Sequence, residues 1–270
     1  MPPQIHPTAL VHPKAELADD VVVGPCVTVD ENVRVGPGVV LKTGTIITGH
    51  TTLGARNIIG PYAVIGTWPQ DLGHRGEPTR VEIGDDNTLR EYVTINAAST
   101  KQDWVTRVGS RNFLMAYCHV AHDCEVGNDI VMANYVGLSG HCKIEDKAWF
   151  GGMVGLHQFV TVGTHSFIGG GSRIVHDCPP YMITEGSPAK VRGVNTIGLK
   201  RRGFATAAIE VLKEAQRLIY RSHLTAAQAV DQLLAATEPL TAEVRYLIEF
   251  LRRMHAGRQG RAREALRQKA

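Results

Sequence analysis

His122 is the residue of this 270-residue chain whose type and sequence neighbours most readily do chemistry. Counting on from it in steps of 18 reaches Gly140, Gln158 and His176. An imidazole with an ordinary pKa of about 6.5 is poised to take a proton at neutral pH. Gly140 has no side chain to cover its backbone N–H, which can steady a developing oxyanion. The same pattern equally fits a histidine that only faces solvent. His119, His141 and His157 accompany it, and they suit polar binding of a sugar or diphosphate. They also raise the question of a metal, because clustered histidines bind zinc. A three-ligand site needs convergent side chains, and His119, His122 and His141 form no clear tripod, so no metal is assigned.

The step of 18 comes from a period of six. An apolar residue falls on every sixth position from Ile5 to Ile65, again at Ile83, Leu89 and Ile95, and in a shifted frame from Val108 to Ile174, making 26 hexads. One short unit stacked on itself with this period is a parallel β-helix. Each hexad is a strand and a corner, three hexads make one triangular coil, and residue i lies over residue i+18. With strands about 4.8 Å apart, the prism is roughly 40 Å tall. Four residues after each apolar position the residue is usually small or β-branched, such as Ala9, Val21, Val33 or Ala63, as a cramped interior requires. Cys118, Cys124, Cys142 and Cys178 fall in that slot. They read as compact hydrophobes rather than disulfide partners, although Cys124 and Cys142 stack 18 apart. His122 occupies the third slot of its hexad, which points outward, and His119, His141 and His157 face outward near the same edge.

The hexads break twice, between Ile65 and Ile83 and between Ile95 and Val108. The breaks follow the eleventh and fourteenth hexads, on the same face as the seventeenth, which carries His122. Both loops therefore leave the prism at one edge, one and two coils below His122, and long loops on a rigid scaffold concentrate function. The hexads end at Pro179-Pro180, and from about 197 the period turns helical, with Ala208, Val211, Leu212, Ala215, Leu218 and Ile219 as an apolar stripe. A second helix opens at Thr225, with Gln228 completing a capping box. Pro239 and Thr241 precede a third helix carrying Val244, Leu247, Ile248 and Leu251. The basic tail after Gly257 reads as frayed. The expected organisation is a β-helix over 1–190 with insertions at about 66–82 and 96–107, then a helical domain over 191–270.

Residues 1–189 hold 13 Lys and Arg against 19 Asp and Glu, whereas residues 190–270 hold 16 against 7. No nucleic-acid motif or aromatic platform accompanies the basic part, so nucleic acid is not expected as a partner. An acidic protein, a phosphorylated ligand or plain solvated helix faces all fit it. No apolar run approaches the roughly 18 residues of a membrane span, and no signal peptide opens the chain. A cytoplasmic protein is expected.

The motifs around these residues resemble those of the UDP-N-acetylglucosamine acyltransferases of lipid A synthesis along almost the whole chain. They are Gln70-Asp-Leu72, Gly76-Glu-Pro-Thr79, Ile83-Gly84, His119-Val-Ala-His-Asp-Cys124, Ser139-Gly-His141, Gly151-Gly-Met153, His157-Gln-Phe159, Gly193-Val-Asn195, Gly198-Leu-Lys-Arg-Arg-Gly-Phe204 and Leu218-Ile-Tyr-Arg221. The resemblance implies a left-handed parallel β-helix followed by C-terminal helices, assembled as a homotrimer with active sites between neighbouring prisms. That hand is the known exception to right-handed crossovers. The implied reaction moves an (R)-3-hydroxyacyl group from acyl carrier protein to the glucosamine 3-position of the UDP-sugar, with no cofactor. His122 would be the general base, Asp123 would orient its imidazole, and the Gly140 amide would hold the oxyanion. Gln70 and Asp71 would contact the sugar or the acyl hydroxyl. His119, His141 and His157 would line the cleft, Gln158 would contact the nucleotide-sugar, and Asn195, Arg201 and Arg202 would meet the UDP. Arg offers a diphosphate forked donors and permanent charge. The basic C-terminal part would steer the acidic acyl carrier protein. Gly170 matches the chain-length stop and, lacking a side chain, leaves the groove open to a long acyl chain.

Three departures from the family pattern stand near the sugar. Gly73-His74 occupies the place where the family usually has Lys two residues after Asp71, so that cation is missing or replaced by His74. Asn96 stands at a frequent His, followed by Ala97-Ala-Ser, and Ile197 replaces a frequent acidic residue. They bear on whether the acceptor is UDP-N-acetylglucosamine or its 3-amino analogue. Rival readings are the related N-acyltransferase, which usually carries an extra N-terminal domain, a CoA-dependent hexapeptide acetyltransferase, and a non-catalytic assembly subunit.

Overall fold

The computed structural model describes residues 1–236 and 241–266. Each hexad forms a short strand, from Gln4–Ile5 to Arg173–Ile174, and the strand ends on its apolar residue except before the two loops, where Val64–Thr67 and Thr94–Asn96 run further. Strands three hexads apart pair in parallel, building sheets of 11, 9 and 8 strands. These sheets are the faces of a left-handed triangular prism. The first, second and third faces begin with Gln4–Ile5, Leu10–Val11 and Glu16–Leu17. Apolar residues such as Leu41, Ile59, Ile95 and Phe150 point inward and are fully buried, as are Val21, Val27 and Val39 in the small slot. Cys118, Cys124, Cys142 and Cys178 are fully buried there and remain free thiols.

The corners have their own rule. The third residue after an inward apolar side chain recurrently adopts left-handed backbone, with φ of +57° at Tyr62, +59° at Asp123 and +65° at His141. Asp is among the few residues that enter this region readily. Along the edge between the first and second faces, Tyr62, Tyr92, Tyr117 and Tyr135 occupy successive corners and stack ring on ring, with centroids 5.4, 4.9 and 4.9 Å apart.

Stacked residues stand 18 apart except where loops are inserted. Ile58 pairs with Thr88, and Thr88 with Phe113, so the offset rises to 30 and then 25. The loops themselves cover 68–79 and 97–104. They are shorter than the 66–82 and 96–107 read from sequence, because Arg80–Ile83 and Val105–Val108 lengthen to four-residue strands before the hexads resume.

Above the last hexad, Met182–Gly186 adds to the first sheet in parallel and Ala189–Val194 returns antiparallel. The β-structure thus runs a few residues past 190. Among the described residues four α-helices follow: α1 (Thr196–Arg201), α2 (Thr206–Arg221), α3 (Ala226–Ala236) and α4 (Ala242–Ala256). Gly203, at φ +81°, separates α1 from α2. Thr225 and Gln228 exchange the capping-box hydrogen bonds, and Thr241 caps α4; Pro239 lies outside the described residues. Leu212, Ala215, Leu247 and Leu251 close a second core over Met182 and Val194.

The segment 258–266 is not frayed. It folds back onto the end of the prism, where Arg261 is 3% exposed. Arg261 donates from Nη1 to Val175 O (2.5 Å) and from Nε to Glu264 (2.8 Å). The Ala262 N–H donates to Asp177 Oδ2 (2.8 Å), and Arg263 pairs with Glu125 (2.8 Å). Composition alone reads a basic tail as solvated, whereas these bonds use it as a clasp.

Candidate active site

Both inserted loops and the column from His122 to His176 lie on the edge between the second and third faces. His122 points away from the prism interior yet is only 6% exposed. It is therefore neither a core histidine nor a solvent-facing one. Its Nδ1 lies 2.7 Å from Asp123 Oδ2. The carboxylate only accepts hydrogen bonds, so Nδ1 carries the proton and Nε2 keeps a free lone pair. That is the tautomer a general base needs.

Asp123 is itself held from two sides. Its backbone N–H donates to Thr106 Oγ1 (2.9 Å), and its carboxylate receives the Ser99 hydroxyl (2.7 Å) and the Ser99 N–H (3.1 and 3.2 Å to its two oxygens). His141 Nε2 stands 3.7 Å from the same carboxylate, and its ring stacks on Phe159 and meets His122 edge-on. Burial pushes the His141 pKa down to about 4, against a smaller upward pull from Asp123, so its ring is neutral at neutral pH. Among the described residues its buried Nδ1 has no hydrogen-bond partner.

Gly140 lies one coil further along. A Cβ there would stand 2.5 Å from His122 Cε1 and 2.7 Å from Nε2, so only glycine admits the ring in this position. Ser139 N–H and His141 N–H on either side donate to Leu156 O and His122 O. Among the described residues, the Gly140 N–H has no acceptor, which leaves an amide donor beside the base.

The loop residues complete this edge. Asp71 accepts from Gly73 N–H (2.8 Å) and from Lys101 Nζ (2.5 Å), which crosses from the other loop. Lys101 first, then the Gly73 amide, holds the Asp71 carboxyl below its usual range. The cation beside Asp71 is therefore Lys101 and not His74. The His74 side chain is buried, edge-on to Trp68, with Nδ1 3.0 Å from Glu77. Asn96 ties the loops together by donating to Thr67 Oγ1 and Trp68 O, both at 2.9 Å. His119 shares a 2.7 Å hydrogen bond with Thr94, and burial, then His122, lowers its pKa. Gln70, His157 and Gln158 are exposed on the same edge, with His157 Nδ1 turned to Gln158 O (3.0 Å).

The remaining expected residues lie elsewhere. Asn195, Arg201 and Arg202 line a cavity of about 550 Å³ at the edge between the third and first faces, with Lys147, Trp149 and His165. Asn195 also serves the fold there, capping α1 at Gly198 N–H and donating to His165 O. Gly170 lies exposed on the third edge, between the first and second faces.

The metal reading can be tested on this geometry. Among the described residues the trio that converges is His122, Asp123 and His141, with ligand atoms within 4.8 Å of one another, rather than His119, His122 and His141. Two ligands of a tetrahedral zinc at its usual bond lengths stand roughly 3.3 Å apart. The 2.7 Å between His122 Nδ1 and Asp123 Oδ2 is the spacing of a shared proton, shorter than that of two such zinc ligands.

Sequence reading missed Ser99, Lys101 and Thr106. The signal was present but displaced by the insertions: Lys101 lies 30 residues after Asp71, the enlarged offset of that coil, and not 18.

A triangular hexapeptide prism with a buried histidine–carboxylate pair beside an open amide on one edge defines a hexapeptide-repeat acyltransferase. Comparison narrows the class. Residues 177–261 match the family model described as Udp N-acetylglucosamine O-acyltransferase, domain 2. The chain is 49% identical over 249 residues to the acyl-[acyl-carrier-protein]–UDP-N-acetylglucosamine O-acyltransferase of Syntrophobacter fumaroxidans, covering 92% of this chain and 96% of that one. It superimposes on the UDP-N-acetylglucosamine acyltransferase of Francisella novicida with a TM-score of 0.88 at 35% identity, covering 92% and 91% of the two chains. LpxA from Acinetobacter baumannii gives 0.87 at 39% identity, covering 91% and 95%. The chain belongs to the UDP-N-acetylglucosamine O-acyltransferase family.

Proposed function

We infer that this chain transfers an (R)-3-hydroxyacyl group from acyl carrier protein to the 3-hydroxyl of the glucosamine ring of UDP-N-acetylglucosamine, the first step of lipid A synthesis. The observation that carries the chemistry is the His122–Asp123 pair, with its free Nε2 beside the Gly140 N–H, which has no acceptor among the described residues.

His122 Nε2 takes the proton of the sugar hydroxyl as its oxygen attacks the thioester carbonyl. A C–O bond forms, the carbonyl electrons move onto oxygen, and the Gly140 N–H holds that charge. Asp123 keeps the imidazole oriented and stabilises the imidazolium. Collapse breaks the C–S bond, and the proton returns from His122 to the departing sulfur. Asp71 and Gln70, under the loop tie of Lys101, meet the sugar or the acyl hydroxyl. Neutral His141 offers its Nδ1, and His119, His157 and Gln158 line the remainder. Gly170, on another edge, leaves the acyl groove open to a long chain where a neighbouring prism brings that edge to the site.

The UDP half needs a second copy. Asn195, Arg201 and Arg202 stand on a different edge from His122, so one nucleotide-sugar reaches both sets only across a contact between prisms. The faces support a homotrimer built that way. The third face presents paired charges, Glu16 with Arg34, Glu82 with Arg107 and Glu125 with Lys143. The first face instead turns Val22, Val40, Ile58, Phe113, Trp149 and Phe167 outward, next to the exposed tyrosine ladder. Acidic acyl carrier protein is steered by the basic C-terminal part. Among the described residues no helix is long and apolar enough to cross a membrane, and the substrates suit a cytoplasmic enzyme.

The test is acyl transfer from 3-hydroxyacyl carrier proteins of several chain lengths to UDP-N-acetylglucosamine and to its 3-amino analogue. Ester product with a long acyl chain is expected. Transfer only to the amino analogue would move the acceptor, and no transfer to either would overturn the reading. Co-assembled His122→Ala and Arg201→Ala chains should regain activity that neither has alone.

A further inference from the structure

We propose that Ser99 is a positioning residue for the base: it fixes the Asp123 carboxylate, and through it the orientation and tautomer of His122. The proposal rests on the acyl-transfer reading for its kinetic consequence but not for its geometry.

The bonding around Asp123 Oδ2 carries the argument. That single oxygen receives His122 Nδ1–H at 2.7 Å, the Ser99 hydroxyl at 2.7 Å and the Ser99 N–H at 3.1 Å. Ser99 is 3% exposed and Asp123 2% exposed, so water does not readily stand in for either donor. The hydroxyl is directed as well as near. Its oxygen accepts the Lys101 N–H at 3.2 Å, which turns its own hydrogen toward the carboxylate. A carboxylate with two lone-pair-bearing oxygens and only His122 as partner could rotate about its Cβ–Cγ bond. Two donors from one residue, the hydroxyl on Oδ2 and the N–H shared between both oxygens, remove that freedom.

Ser99 is in turn held by both loops. Ala97 N–H donates to Thr67 O, Asn96 binds Thr67 and Trp68, and Lys101 Nζ reaches Asp71. The loop that begins at 97 thus does two jobs from adjacent residues: Ser99 faces inward to the His122–Asp123 pair, and Lys101 faces outward to Asp71. Movement of the loops is transmitted to the base through one serine.

Three variants and two readouts test this. In Ser99→Ala the hydroxyl is lost, and kcat should fall at least tenfold with KM for the UDP-sugar changed less than threefold. Ser99→Thr keeps the hydroxyl and should recover kcat to within about twofold of wild type. The second readout needs no turnover: the low-field proton resonance of His122 Nδ1–H, assigned by its loss in His122→Ala, should persist in Ser99→Thr and broaden or vanish in Ser99→Ala. An unchanged kcat and resonance in Ser99→Ala would overturn the proposal, as would a change in KM alone, which marks a merely structural loop residue. If wild type transfers no acyl group to any acceptor but its resonance responds to Ser99→Ala, the functional reading fails while the positioning role stands.

Discussion

The ring of His122 and the backbone of Gly140 are in such close contact that any β-carbon at position 140 would penetrate the imidazole, at 2.5 Å from Cε1. The base and the amide proposed to hold the oxyanion are therefore fixed by one packing constraint between two stacked coils. A rigid prism meets such a constraint well, because each coil is clamped by parallel hydrogen bonds to the next.

Gly140→Ala should displace His122 without unfolding the prism. A loss of about 100-fold or more in kcat is expected, in line with displaced catalytic groups elsewhere, with a melting temperature within a few degrees of wild type. Steady-state kinetics and thermal unfolding of the variant check both halves.

Asp123→Asn keeps the shape of the side chain but presents an amide to His122 Nδ1. The amide nitrogen can hold the ring in the wrong tautomer, with Nε2 protonated, and such a change costs up to about 10⁴-fold in kcat in an analogous pair. Loss of at least about 100-fold is expected here, with the UDP-sugar still bound. Equilibrium binding of the UDP-sugar, measured beside turnover, separates the two.

His141 gives stability a pH dependence of known sign. Burial lowers its folded pKa to about 4, below the ordinary value of 6.5. The unfolded chain therefore binds its proton first, and stability falls as pH drops from about 6.5 towards 4. Replacing the ring in His141→Asn should flatten that part of the curve, which denaturant unfolding at a series of pH values will show. His165, lowered to about 4 for the same reason, leaves a residual slope in the variant.

The Asp71–Lys101 pair should behave as a loop tie. Because Asp71 is held below the usual carboxylate range by Lys101, the tie is complete above that range and is lost only as pH falls through the lowered value. Lys101→Met should release the loop at neutral pH, seen as faster proteolytic cleavage within 68–79 and a raised KM for the UDP-sugar. Lys101 is half exposed, so the cost in global stability should stay below about 1 kcal/mol.

The regular part of this molecule was legible because one rule, an inward apolar residue every six, governs both sequence and fold. It located all strands from Gln4–Ile5 to Arg173–Ile174, and the step of 18 put Gly140 beside His122. Where the period is interrupted the step becomes 30 and 25, so Lys101 and Ser99 could not be paired with Asp71 and Asp123 by the same count. The burial of His122 was hidden for a different reason: an outward slot says nothing about the Gly140 backbone and the His141 ring that pack against it. The fold-back of 257–266 depends on Arg261 meeting Val175 and Glu264, contacts with no periodic signature. Finally, the separation of Arg201 from His122 by a whole prism edge follows from which face each hexad joins, and it becomes meaningful only once a second prism is considered.

Acyl transfer with His122 as the base is tested most directly by comparing wild type and His122→Ala in the transfer of a 3-hydroxyacyl group from acyl carrier protein to UDP-N-acetylglucosamine, at equal concentrations of folded, assembled protein. Product formation by wild type and a loss of several orders of magnitude in the variant, with the same oligomeric state, is the predicted result. A near-normal rate in His122→Ala would contradict it.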